Sequence, residues 1–197
     1  MFYEDVEEST HNYVVADFYF PNGIYNIGDL NLGRFNGLTF IGSGQNTIFR
    51  STNENACLNL NSKEFEPRTF INNVTIENIT IDNENKNRTG LLLHNVVRST
   101  FKNINIINGH PSKIAVDMYM AVSNLYENIK HSTNIANKQI MYGTGIAIKY
   151  SPDIGASTNN TFINTIIEGV SNGLIIEDGD ENTFIGGTFE ANNAYGI

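Results

Sequence analysis

Apolar and polar residues alternate with a period of two in short runs along most of the chain, and the runs recur. Five segments share one pattern: Val74-Thr-Ile-Glu-Asn-Ile-Thr-Ile-Asp82, Thr100-Phe-Lys-Asn-Ile-Asn-Ile-Ile107, Leu125-Tyr-Glu-Asn-Ile-Lys-His-Ser132, Thr161-Phe-Ile-Asn-Thr-Ile-Ile-Glu168 and Thr183-Phe-Ile-Gly-Gly-Thr-Phe-Glu190. Aligned on Ile76, Phe101, Tyr126, Phe162 and Phe184, they stand 25, 25, 36 and 22 residues apart. A second segment recurs between them: Gly90-Leu-Leu-Leu-His94, Ala115-Val-Asp-Met-Tyr119, Gly145-Ile-Ala-Ile-Lys149 and Gly173-Leu-Ile-Ile-Glu177. Alternation of this kind predicts strands. A unit of about 25 residues holding two or three short strands is one turn of a parallel β-helix. Leucine-rich repeats need recurring Leu and a helical return, and a propeller blade runs to roughly 40 residues. The expected fold is therefore all-β, a parallel β-helix spanning 1–197 as one domain.

Columns read down the repeats give the expected interior. The lead position, Ile76, Phe101, Tyr126, Phe162 and Phe184, forms an inward aromatic stack. Two residues later come Asn78, Asn103, Asn128 and Asn164, then Gly186. Asn tolerates the left-handed backbone of a sharp bend. Stacked at the roughly 4.8 Å between strands, its amides bond to one another along the axis, as Asn ladders do. Ile79, Ile104 and Ile129 follow inward, then Ile81, Ile106 and Ile167. In the second segment the inward pairs are Leu91 with Leu93, Val116 with Met118, Ile146 with Ile148, and Leu174 with Ile176. The polar stretch 133–139, in the longest insertion, lacks this period and is expected to project as a loop, a usual place for binding contacts.

Composition fits strands and turns. There are 31 Asn, 17 Gly and 4 Pro, with 40% apolar residues. Charged residues are only 17%, below the roughly 25% usual in soluble domains, so amide has replaced charge. Twelve basic against 21 acidic residues leave a net charge of -9, a poor match for phosphates, and no nucleic-acid partner is expected. No apolar run reaches membrane-spanning length, so no membrane insertion is expected. Met1 to Thr10 is acidic and has neither the basic nor the apolar part of a leader. Cys57 is the only cysteine; it excludes a disulfide framework and reads as a buried strand residue.

The segment Asp17-Phe-Tyr-Phe-Pro-Asn-Gly-Ile-Tyr25 carries a Phe-Pro-x-Gly-x-Tyr signature, followed by Leu38-Thr-Phe-Ile-Gly-Ser-Gly44 and Thr47-Ile-Phe49. With the Asn-marked repeats, it resembles the pectate-lyase-like superfamily of right-handed parallel β-helices, and within it the tailspike and depolymerase modules of bacteriophages. The ending Asn182 to Gly196 also resembles a turn common in those spikes. The resemblance covers roughly residues 13 to 197. It implies a homotrimer, a place in the virion tail or outside the cell, and a bacterial surface polysaccharide as partner. The superfamily holds lyases, hydrolases, epimerases and non-catalytic adhesins, so it leaves the reaction open. In two respects the chain departs from the pattern: no helical segment precedes the first strand, and residues end at Tyr195-Gly-Ile197 where a further turn is expected. The chain therefore reads as a module of a longer protein.

Cleaving a polysaccharide by hydrolysis needs paired carboxylates. One outward column, six residues after the lead, holds Asp82, Ile107, Ser132, Glu168 and Glu190, with Glu168 and Glu190 on adjacent turns. Carboxylates that close repel, which favours a protonated acid beside an ionised base, and a separation near 5 Å suits a retaining glycosidase. The bland alternative is two solvated glutamates splayed apart. A second outward column holds His94, Tyr119, Lys149 and Glu177, with Asp117 one outward step away and Asp178 and Asp180 in the next turn. Rings, a cation and carboxylates together fit a sugar-binding groove, with Asp117 as a further catalytic candidate; an ordinary mixed polar face is the alternative. No cofactor is expected; Ca²⁺ is conceivable at Glu177, Asp178 and Asp180, whose hard oxygen ligands suit it, with an ordinary acidic turn as the alternative. The alternating outward trio Glu77, Lys102 and Glu127 reads as structural.

The leading reading is a phage tail-spike module that binds and cleaves a bacterial surface polysaccharide. A non-catalytic receptor-binding shaft and a secreted bacterial polysaccharide lyase are the rivals.

Overall fold

The computed structural model describes residues 12–27, 35–52, 54–62, 70–131, 141–150, 152 and 155–192. Among them there is no helix, and every strand pairing is parallel. The expected loop at 133–139 and the ending at 195–197 lie outside the described residues.

Each repeat places its strands on those of the repeat before it. The largest sheet has 12 strands. One of its edges runs through Asn12–Phe20, Phe35–Gly42, Thr75–Asp82, Thr100–Ile107, Leu125–Glu127, Thr161–Ile163 and Thr183–Ile185. Its other limb stacks Gly23–Asn26 and Thr47–Arg50 below Thr75–Asp82, and Lys130–His131, Ile166–Glu168 and Thr188–Glu190 above Thr100–Ile107. A second sheet stacks Ala56–Asn61, Thr89–His94, Ile114–Tyr119, Thr144–Lys149 and Asn172–Ile176. A short third one pairs Ile71–Asn72 with Val96–Val97.

The bends between faces sit where the Asn column predicts. Asn78, Asn103, Asn128 and Asn164 have φ of 59, 53, 54 and 51°, and Gly186 has 64°. Left-handed backbone costs most residues energy but suits Asn and Gly. A second column of positive φ lies three residues before the lead, at Asn73, Arg98, Ser123, Asn159 and Glu181.

The core lies between the sheets and follows the predicted columns except at Ile176, expected inward beside Leu174 but exposed in the last strand of its sheet. Register pairs Phe40 with Ile76, Ile76 with Phe101, Phe101 with Tyr126, Tyr126 with Phe162 and Phe162 with Phe184. The rings stack: Phe101 on Tyr126 at 5.2 Å, Tyr126 on Phe162 at 4.5 Å and Phe162 on Phe184 at 4.5 Å, all within 10° of parallel. Such pairs add about 0.5–1.5 kcal/mol each beyond burial. At the chain's first turn Phe20 meets Tyr25 and Phe49 edge-on, and the Tyr25 hydroxyl donates to the Pro21 carbonyl at 2.9 Å.

Two interior features escape the column reading. His131 stands opposite Ile167 in the inward isoleucine column, buried, with Nδ1 2.7 Å from the Ile106 carbonyl. Burial pushes its imidazole down to about 4. A second ladder, internal from Ser99 to Asn160 and half-buried at Asn182, runs two residues before the lead. The Ser99 and Asn124 backbone N–H groups donate to the Oδ1 of Asn124 and Asn160, and that of Asn160 to Asn182. The same Oδ1 atoms of Asn160 and Asn182 also accept from the Asn124 and Asn160 side-chain amides, at 3.1 and 2.9 Å.

Candidate functional site

The exposed bend column makes the expected amide ladder over its first three rungs. Asn103 Nδ2 donates to Asn78 Oδ1 at 2.7 Å, and Asn128 Nδ2 to Asn103 Oδ1 at 2.8 Å. The amides border a groove of about 340 Å³ lined by Asn78, Asn103, Asn128 and Asn164 together with Gln45, Asn105, Lys130 and Ile166. The groove exists because the left-handed bend turns the outer faces of the two limbs towards each other. Period two then aims Asn105, Lys130 and Ile166 outward, and these three are successive partners in register. In a ladder each amide keeps one N–H and one acceptor lone pair for another partner. The groove thus presents a row of donors and acceptors, one set per repeat.

Glu168 and Glu190 are direct register partners, as the column predicted. Glu168 lies two residues beyond Ile166 on the same strand, so it shares the groove's outer face. Glu168 is half-buried and Glu190 exposed. Asp82, at the head of this column, is instead buried and held by Arg50 at 2.8 Å, by the Asn108 amide at 2.7 Å and by the Glu84 backbone N–H at 3.0 Å.

The second predicted column is brought together on the outer face of the five-stranded sheet. His94, Tyr119 and Lys149 are register partners. The His94 and Tyr119 rings stack at 5.5 Å. Lys149 Nζ lies 3.0 Å from Asp117 Oδ1, donates to the Tyr119 hydroxyl at 2.9 Å and stands 4.9 Å from the Tyr119 ring centroid. Burial holds the Asp117 carboxyl above its ordinary range against the pull of Lys149. Burial also pushes the Lys149 ammonium down, but Tyr119 and Asp117 outweigh it and leave the group raised. Asp117 and His94 are buried although they point away from the core. Glu177, Asp178 and Asp180 are exposed at the end of this column. Among the described residues no three His, Cys, Asp or Glu side chains converge as a metal shell would require.

Of the remaining expectations, Lys102 pairs with Glu127 at 3.0 Å, in the alternating trio. Cys57 is buried, and burial pushes its thiol up to about 11, which makes it unreactive. No helix among the described residues is long and apolar enough to cross a membrane. The groove-lining residues Asn105, Lys130 and Gln45 carried no separate signal in the sequence. They appear once the bend at the Asn column is seen to be open on its outer side.

Comparison with known proteins gives one structural likeness. The chain superposes on the solved structure titled "Geobacillus virus E2 - ORF18" with a TM-score of 0.68 at 18% identity. The match covers 88% of this chain and 34% of that one, so this chain spans about a third of the phage protein's length. At that identity the likeness is one of fold. No protein-family model and no curated protein matches the sequence.

Proposed function

We propose that this chain is a right-handed parallel β-helix module of a bacteriophage tail spike that binds a bacterial surface polysaccharide in the amide groove and cleaves it at Glu168 and Glu190. The observation that carries this reading is the open row of Asn78, Asn103, Asn128 and Asn164, with the register-paired Glu168 and Glu190 starting two residues along the strand from the groove-lining Ile166. Parallel strands repeat at roughly 4.8 Å, close to the length of one sugar in an extended glycan. Each repeat can therefore serve one sugar with an amide donor and acceptor. Fold likeness to a phage protein supports the setting, and the resemblance to spike modules extends it to a homotrimer in the virion tail.

In this reading one carboxyl of the pair donates its proton to the glycosidic oxygen as the C–O bond breaks. The other attacks the anomeric carbon and forms a glycosyl ester. Water then hydrolyses that ester, with the first carboxylate taking the proton. Carboxyl groups about 5 Å apart suit this retaining course.

The test is incubation with surface polysaccharides followed by reducing-end assay. The wild type is expected to release oligosaccharides, and a Glu168→Gln, Glu190→Gln double variant to bind as well but release none. Equal release by both removes the catalytic assignment. The open, solvent-facing position of Glu190 also fits a non-catalytic shaft, and firm retention of glycan by the wild type with no product after long incubation selects that reading.

A further inference from the structure

The outer amide ladder is interrupted inside the groove. Asn128 and Asn164 occupy neighbouring places, because Glu127 pairs with Ile163 and the Asn128 N–H donates to the Ile163 carbonyl at 2.8 Å. Yet no side-chain hydrogen bond joins them, whereas the two rungs before are closed. Asn128 Oδ1 is left as an acceptor, and the Asn164 amide keeps its donors and its acceptor. Lys130 lies beside this open rung. It is exposed, and among the described residues no carboxylate lies within ion-pair distance of it. Among the described residues that line the groove it alone carries a charge, on a chain whose net charge is -9.

We propose that the open rung, Asn128, Asn164 and Lys130, is the subsite for an anionic sugar, so that the groove selects acidic over neutral polysaccharides. This rests on the reading of the groove as a glycan site and names the class of glycan it takes. Lys130 supplies a flexible point charge for a carboxylate. The Asn164 amide donates a second hydrogen bond to the same anion, and Asn128 Oδ1 accepts from a neighbouring hydroxyl. Cation, donor and acceptor come from two successive repeats, a span of about one sugar.

The test is binding of the full chain to an immobilised panel of neutral and uronate-bearing bacterial polysaccharides, with Lys130→Gln, Asn164→Gly and Asn103→Gly variants. Glycine suits both bends, since Gly186 fills the same column at φ 64°, and a thermal melt of each variant checks its fold. The wild type is expected to retain acidic members preferentially, and less well as salt rises. Lys130→Gln and Asn164→Gly should each weaken that binding by about tenfold, as loss of one charge-assisted contact does, with neutral members unaffected. Unchanged binding of acidic members by Lys130→Gln overturns the subsite. The groove reading still stands in that case if Asn103→Gly weakens retention. Retention of no panel member by the wild type overturns the groove reading and the subsite with it.

Discussion

Single residues in this chain are chosen as much for the turn they permit as for what they bury. Asn at 78, 103, 128 and 164 takes positive φ, but Arg98 and Glu181 take it in the other bend column, at 50 and 57°. Such backbone costs a residue other than Gly or Asn roughly 1 kcal/mol or more. Arg98→Asn is therefore expected to raise stability by about 0.5–1 kcal/mol, read as a higher thermal midpoint. Tyr126 makes the opposite case. Its ring stacks between Phe101 and Phe162, while its hydroxyl is buried near Asn124 without a hydrogen bond of good geometry. Tyr126→Phe keeps the stack and removes the poorly bonded hydroxyl, so the midpoint should hold or rise; a clear fall would show that the hydroxyl is bonded to Asn124 in solution. The sequence revealed the aromatic and isoleucine columns because period two and a 25-residue spacing are strong signals. It did not reveal His131, because histidine at an inward place looks, in one dimension, like the start of the polar insertion that follows it.

At the scale of elements, the ladders join successive turns more specifically than apolar packing does. The outer one was legible, since Asn recurs two residues after each lead. The inner one was not, because its members Ser99, Asn124, Asn160 and Asn182 precede the strand run on which the repeats were aligned, and Ser and Asn at a strand's start read equally well as turn residues. Asn124 accepts from the Ser99 N–H and donates to the Val96 carbonyl and to Asn160. Asn124→Ala leaves these buried groups unpaired and is expected to cost about 2–4 kcal/mol. Denaturant unfolding measures it, and Asn103→Gly on the exposed ladder should cost far less. The same contrast explains the site. Register alone placed Glu168 beside Glu190 and lined up His94, Tyr119 and Lys149. Burial in the fold shows which of these rows is closed by its own ion pair, at Asp117 and Lys149, and which remains open.

For the whole molecule, acid is the condition that should loosen the structure. The His131 imidazole is held neutral by burial, with a folded value of about 4 against 6.5 when exposed. Between those values the unfolded chain binds the proton and the folded chain does not. Stability is thus complete above pH 6.5, falls as pH drops towards 4, and levels below it, a loss of about 3 kcal/mol from this group. His131→Leu should remove that part of the slope in melts taken from pH 7 to 4. An unchanged slope would place the acid sensitivity elsewhere.

Stacked turns also explain why a chain poor in charge holds an open groove. Of its 31 asparagines, those at 78, 103, 128 and 164 close bends, those at 124, 160 and 182 join turns, and the first set leaves a regular row of donors and acceptors on one outer face. The central claim is that this row is where glycan lies. A crystal structure with a bound bacterial oligosaccharide tests it most directly. The sugar chain is expected along the helix axis, with hydroxyls on Asn103, Asn128 and Asn164 and its scissile end towards Glu168 and Glu190. An oligosaccharide seated instead on Tyr119 and Lys149 of the other sheet would contradict the account.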